Sequence, residues 1–206
     1  TKARIRNAGQ VCNSPKRIIV MEAIADELIK NIKAILENIK VGDPMDESTE
    51  LAPLSSIKAM EGVIRQVEDT VNAGAKLLYG GKRIKGNGAF MEPVLLTDIK
   101  PGMVAYSEEI FGPVVCVYVV KDENEAITLA NDTEFCLGAC VFSKDEERAI
   151  KIARQINSGM VGINEMTSST PELPFGGIKK SGYGRELSPE GILEFVNHKL
   201  IRIAKG

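Results

Sequence analysis

Apolar residues return on one helical face between Glu22 and Lys40, at Ile24, Leu28, Ile32, Ile35, Leu36 and Ile39, and this spacing predicts a long amphipathic helix. The β-branched run Lys16 to Met21 ahead of it reads as a short strand, and Val41-Gly42-Asp43-Pro44 stops the helix with both standard breakers. After a polar loop through Pro53, a second amphipathic helix is expected from about Ser55 to Ala73, on Ile57, Met60, Val63 or Ile64, Val67 and Val71. Gly74 then turns the chain into the apolar run Lys76 to Tyr79. Gly80-Gly81-Lys82-Arg83 lacks the spacing of a phosphate loop, and no hydroxyl residue follows Lys82, so it reads as a hairpin or exposed loop. Phe90 to Leu96 is a strand that Pro93 confines to a sheet edge or to the strand's start. Val114 to Val120 is almost wholly apolar and suits a strand buried on both faces.

Beyond it the pattern becomes regular: helix about Glu123 to Asn131, strand Leu137 to Phe142, helix Asp145 to Asn157, strand Met160 to Asn164. Alternation of this kind predicts an α/β fold with three layers, a mainly parallel twisted sheet carrying helices on both faces. Ligands in such folds sit outside the carboxyl ends of strands, and the long polar loop 164–175 leaves one of those ends. A last short helix, about Pro189 to Val196, precedes the strand-like His198 to Ala204, which can pair within the sheet or add to a partner's sheet.

A chain of 206 residues is long enough for one α/β domain or two small ones, and 44% hydrophobic with 26% charged residues is ordinary for a globular protein. Twenty-eight acidic against 26 basic residues give a formal charge of −2 with no long block of either sign. That balance disfavours nucleic acid and anionic membranes as partners. The four cysteines, at 12, 116, 136 and 140, follow no secretory leader, which reads as a reduced, cytoplasmic protein. Cys136 and Cys140 sit among Phe135, Leu137, Ala139 and Val141, and the single histidine, His198, is remote, so no metal site is expected. The chain starts without methionine, and Cys12 stands closer to the terminus than a functional loop normally does; this leads us to expect further sequence ahead of it.

Cys12 lies in a short non-periodic segment, Asn7-Ala8-Gly9-Gln10-Val11-Cys12, before the turn formers Asn13-Ser14-Pro15. A cysteine held by turns is placed to present sulfur to an electrophile, and nearby Lys16 and Arg17 would favour thiolate. The bland alternative is a small buried hydrophobe. Glu109 and Phe111, within Ser107-Glu108-Glu109-Ile110-Phe111-Gly112-Pro113, offer a carboxylate for a diol and an aromatic for a flat ring, or equally a solvated carboxylate and a core plug. Pro174 to Glu186 is the densest glycine segment, yet Gly182-Tyr183-Gly184 lacks the remainder of a dinucleotide fingerprint. Asn164 to Thr170 adds hydroxyls and an amide at a strand end.

Taken together, Gly9-Gln10-Val11-Cys12 with Arg17, Glu108 to Pro113, and Pro174-Phe175-Gly176-Gly177-Ile178-Lys179-Lys180-Ser181-Gly182, in this order, resemble the aldehyde dehydrogenase superfamily. Val41 to Pro44 and the Asn131 to Gly138 junction fit as well, so the resemblance spans nearly the whole chain. It implies that residues 1–197 form a catalytic domain without the nucleotide-binding domain, and that 198–206 form a terminal association strand of a homo-oligomer, dimer or tetramer. By the same resemblance Cys12 matches the nucleophile, Glu109 the nicotinamide-ribose carboxylate, Phe111 the aromatic beside the nicotinamide, and Phe175 an aromatic of the substrate tunnel. The implied cofactor is NAD or NADP, held mostly by sequence outside these residues, and the implied substrate is a small aldehyde. Met166-Thr167-Ser168-Ser169 and Gly184 to Ser188 look most like the succinate-semialdehyde dehydrogenase branch, with Ser168 or Ser169 donating to a remote carboxylate. Lactaldehyde or glycolaldehyde remain alternative substrates. A thioester hydrolase or a catalytically silent oligomerisation module remain alternative functions.

Overall fold

The computed structural model describes residues 1–205, and the chain falls into two units, Thr1–Thr133 and Glu134–Gly206. The first unit runs α1 (Lys2–Ile5), a tight 3-10 turn (Arg6–Gly9), β1 (Arg17–Met21), α2 (Glu22–Glu37), α3 (Ile57–Asn72), β2 (Lys76–Tyr79), β3 (Val94–Thr97), α4 (Val104–Ser107), β4 (Val114–Val120) and α5 (Glu123–Asn131). Its four-stranded sheet has the order β1-β4-β3-β2, parallel throughout except for the antiparallel pair β2/β3. Between β1 and β3 lies β4, buried at every position but Val119, as its unbroken apolar run requires. The strand expected from Phe90 begins only at Val94, after Pro93, which has no N–H to give to a ladder.

Helices α2 and α5 pack along the sheet, which is thus mainly parallel and flanked by helices, as the alternating pattern predicts. Ala25, Ile32 and Leu36 are the buried residues of α2, and Met60, Val63, Val67 and Thr70 those of α3. The α3 stripe starts where Ser56 caps the helix, its hydroxyl accepting from the Ala59 N–H at 3.0 Å. At the start of β1, Arg17 lies 5.2 and 5.0 Å from the ring centroids of Tyr106 and Tyr118 and donates to the carbonyls of Leu129 and Asp132, tying the strand to the end of α5.

The second unit contains β5 (Phe135–Cys136), β6 (Gly138–Val141), α6 (Glu146–Ala153), β7 (Met160–Ile163), β8 (Ile178–Lys179) and α7 (Ser188–Leu193). Here one apolar run feeds two sheets: β5 pairs antiparallel with β8, and β6 pairs parallel with β7. The sequence predicts a single strand over 137–142, because periodicity does not reveal a change of partner at Leu137. Helices α6 and α7 each end before the expected residue, at Ala153 and Leu193. Residues 197–205 carry no strand in this single chain, and Gly206, the last residue of the expected association strand, lies outside the described residues. Among the described residues no helix is long and apolar enough to cross a membrane.

Leu95 on β3 is fully enclosed between β4 and β2. Leu95→Ala is expected to cost about 3 kcal/mol of stability, through lost burial and the cavity left behind, measured as a shift of the urea midpoint.

Candidate active site

Neighbouring parallel strands bring distant loops together. Because Arg17 pairs with Cys116 in register, the segment entering β1 and the segment entering β4 meet at one edge of the sheet. That edge is the amino end of both strands. Cys12 and the pair Glu109 and Phe111 all precede their strands, at the end opposite the carboxyl end to which the loop 164–175 is assigned.

The segment ahead of Cys12 turns through three successive residues in the left-handed region, Asn7 (φ 50°), Ala8 (φ 53°) and Gly9 (φ 73°). Asn7 and Gln10 brace the turn reciprocally, each side-chain amide donating to the other's carbonyl, at 3.1 and 3.0 Å. Gln10 also accepts from the Ser55 N–H at 2.9 Å, which fastens the turn to the loop ahead of α3. Gly9 is required by proximity as well as by φ: a Cβ there would lie 2.0 Å from the Gly112 carbonyl oxygen. Gly112 in turn has no room for a side chain, since its Cβ would stand 2.7 Å from Val63 on α3.

Arg4 locks the two loops from beneath. It is 1% exposed; Nε donates to the Val114 carbonyl (2.6 Å), Nη1 to the Gly9 carbonyl (3.2 Å) and the Ser14 hydroxyl (3.1 Å), and Nη2 to the Ile110 carbonyl (2.6 Å). Burial pulls its pKa down to about 10, a shift opposed by the nearby Cys116 and Glu109.

Cys12 is exposed, in a turn closed by the Ser14 N–H on the Val11 carbonyl at 3.1 Å. Among the described residues its own N–H meets no acceptor. Behind the turn stands Lys16. Its ammonium donates to the carbonyls of Val11 (2.7 Å) and Cys12 (2.9 Å), pairs with Glu109 Oε1 (2.9 Å), and lies 5.3 Å from the centroid of the Phe111 ring. Burial pulls the Lys16 pKa below the usual lysine range, and the hydrogen bond to Glu109 resists that fall. Gln66 on α3 completes the carboxylate loop by donating to Glu108 Oε2 at 2.9 Å.

Glu109 and Phe111, with Asn7, Gln10 and the α3 face at Ala59 and Gly62, line a cavity of about 760 Å³. Phe111 is 42% exposed, so it is not the core plug of the bland reading. An open carboxylate beside an open aromatic face, in a cavity of ligand size, suits a sugar diol joined to a flat heterocycle.

The remaining expected residues belong to the second unit. Ser168 and Ser169 are exposed in the loop after β7. Phe175 is half-buried and bridged to Glu186 by two backbone hydrogen bonds, of 2.8 and 2.6 Å. Arg185 supports the same turn by donating to the carbonyls of Gly177 and Gly184. The roles of Arg4, Gln10 and Gln66 escape sequence reading: Arg4 and Gln10 stand in short, non-periodic segments, and Gln66 is one polar position among many on the solvent side of α3. Lys16 carries only its position four residues after Cys12 as a signal.

Three comparisons bear on this arrangement. The sequence pattern of the aldehyde dehydrogenase family matches residues 1–201. A succinate-semialdehyde dehydrogenase (NADP(+)) of Deinococcus radiodurans is 48% identical over 199 residues, 97% of this chain and 42% of that protein. A probable succinate-semialdehyde dehydrogenase (NADP(+)) of Synechocystis is 44% identical over 98% of this chain and 44% of its own length. The crystal structure of succinic semialdehyde dehydrogenase from Streptococcus pyogenes with NADP+ superposes with a TM-score of 0.95 at 45% identity, covering 98% of this chain and 45% of that one. The chain thus spans less than half the length of the curated relatives it matches.

Two outcomes follow from the geometry. Iodoacetamide at pH 8 is expected to label Cys12 first and to leave Cys116, buried on β4 with its thiol pushed up to about 12 by burial, unmodified until the chain unfolds; peptide mapping by mass spectrometry reads the order. Gly9→Ala is expected to destabilise the chain by about 3 kcal/mol in urea, from backbone strain and the contact with Gly112.

Proposed function

This chain belongs to the aldehyde dehydrogenase family, and on that premise we propose that it supplies the thiol-bearing part of an NAD(P)-dependent oxidation of an aldehyde to its carboxylic acid, with succinic semialdehyde as substrate. The observation that carries this reading is that Lys16 joins the Cys12 turn to the Glu109 carboxylate beside the cavity.

In this reading the Cys12 thiolate adds to the aldehyde carbon, and the carbonyl π electrons move to oxygen as the C–S bond forms. The free Cys12 N–H donates to that oxygen and steadies its charge. Glu109 would hold the nicotinamide ribose by accepting from its hydroxyls, and Phe111 would pack against the flat ring. Bound nicotinamide supplies the hydride acceptor. Loss of hydride from the oxyanion to that acceptor would leave a thioester on Cys12, and water would cleave it to the acid and the free thiol. Within the second unit, exposed Ser168 and Ser169 keep the carboxylate-donor role that the resemblance implies, and Phe175 that of a substrate-tunnel aromatic.

The two curated relatives and the Streptococcus pyogenes structure favour succinic semialdehyde and NADP. Because the chain spans only 42–44% of the curated relatives, we assign the remaining nucleotide contacts and the base that activates water to residues outside these 206. The terminal segment fits subunit association: Phe195, Leu200 and Ile203 are 88, 89 and 85% exposed, an apolar surface that a partner copy would cover in a homo-oligomer.

The test is NADPH formation from succinic semialdehyde, followed at 340 nm. Robust turnover is expected from the complete polypeptide and not from the 206-residue chain, and Cys12→Ala is expected to lower it by about a thousandfold or more. Turnover that survives Cys12→Ala would remove the reading. For the substrate, kcat/KM for succinic semialdehyde is expected to exceed that for butyraldehyde by about tenfold or more. A ratio near one would remove the carboxylate pocket.

A further inference from the structure

We propose that Lys16 is the positioning residue through which one cation serves both halves of the reaction, aiming the Cys12 amide at the substrate oxygen and orienting the Glu109 carboxylate for the nucleotide. It rests on the reading of Glu109 as the ribose carboxylate.

An ammonium has three N–H donors, and Lys16 spends them on three oxygens: Val11 O at 2.7 Å, Cys12 O at 2.9 Å and Glu109 Oε1 at 2.9 Å. Each contact has a separate consequence. In a trans peptide the carbonyl and the following N–H point in opposite directions, so fixing the Val11 carbonyl toward Lys16 turns the Cys12 N–H away from it. A carbonyl bound to a cation also polarises its own peptide group, which makes that N–H a stronger donor. The second contact, to the Cys12 carbonyl, fixes the peptide on the far side of the nucleophile.

On the nucleotide side, Lys16 engages only Oε1 of Glu109, and among the described residues Oε2 has no partner. A carboxylate offers about four lone-pair sites over its two oxygens, so this ion pair leaves capacity for a diol while preventing rotation of the group. The Lys16 side chain is 21% and that of Glu109 37% exposed, so the pair is partly withdrawn from the screening that weakens surface ion pairs. The aromatic contact with Phe111, at 5.3 Å, adds a second restraint on the same loop. Arg4, a second cation near Glu109, gives its hydrogen bonds to carbonyls and the Ser14 hydroxyl and none to Glu109.

The experiment is steady-state kinetics on the complete polypeptide with Lys16→Met, Glu109→Gln and the double variant. Lys16→Met is expected to raise the nucleotide KM about tenfold and to lower kcat about tenfold. Added to Glu109→Gln, it should raise the nucleotide KM no further and still lower kcat, because the carboxylate half of its work is already gone. Lys16→Gln keeps a neutral donor and should fall between wild type and Lys16→Met; it also serves should the methionine variant fail to fold. A wild-type nucleotide KM in Lys16→Met and Lys16→Gln, or fully additive effects on that KM, would overturn the proposal while leaving the ribose reading intact. An unchanged nucleotide KM in Glu109→Gln would overturn both.

Discussion

The hydrogen bonds of one buried guanidinium hold together the loops that enter β1 and β4 at one edge of the first unit. Arg4 reaches the Cys12 segment at Gly9 and Ser14, the Glu109 loop at Ile110 and the first residue of β4 at Val114. Taking a cation out of water costs several kcal/mol, and no carboxylate touches this one. The cost is offset because the delocalised charge meets three backbone carbonyls and a hydroxyl in the plane its fork requires. Those carbonyls would otherwise be buried without donors, so the cation and the loops stabilise one another. Lysine, with a compact head and three donors, does not reproduce the planar fork.

Around that cation, geometry is set by contact as much as by hydrogen bonding. Gly9 lies against the Gly112 carbonyl, and Gly112 lies against Val63, so the Cys12 segment, the Glu109 loop and α3 are stacked without space for an added methyl. Gln10 and Gln66 fix the same three pieces by polar contacts at their rims. The strain of Asn7 and Ala8 in the left-handed region is retained because these neighbours over-determine the turn.

Much of the architecture was legible in the sequence because burial imposes a period. The stripe of Met60, Val63 and Val67 and the unbroken run Val114–Val120 declare a half-buried helix and a central strand, and both occur with nearly the expected bounds. The pairing of β5 with β8 was not legible, since two-residue strands have no period. Nor did the strand-like composition of 198–204 produce a strand within this chain, because β-propensity needs a neighbouring ladder. At the site, Cys12, Glu109 and Phe111 could be named from residue type and motif, and the fold places them at one sheet edge. The residues that orient them could not be named. Arg4 looks like a surface charge in sequence and Lys16 only like a cation near Cys12, and tertiary structure alone turns their donors toward these carbonyls.

The adjacency of β1 and β4 has a consequence for how this chain tolerates change. The separation of sulfur and carboxylate is inherited from strand register, in steps of roughly 3.3 Å per residue, and not from the length of chain that connects them. Insertions and deletions within the excursion between the two strands, as at the exposed polar loop 43–50, therefore leave the spacing of Cys12 and Glu109 untouched. A single-residue slip between β1 and β4, by contrast, would turn every side chain of one strand to the opposite face. Loop length and ladder register are thus independent variables in this unit: the first can change while the second holds.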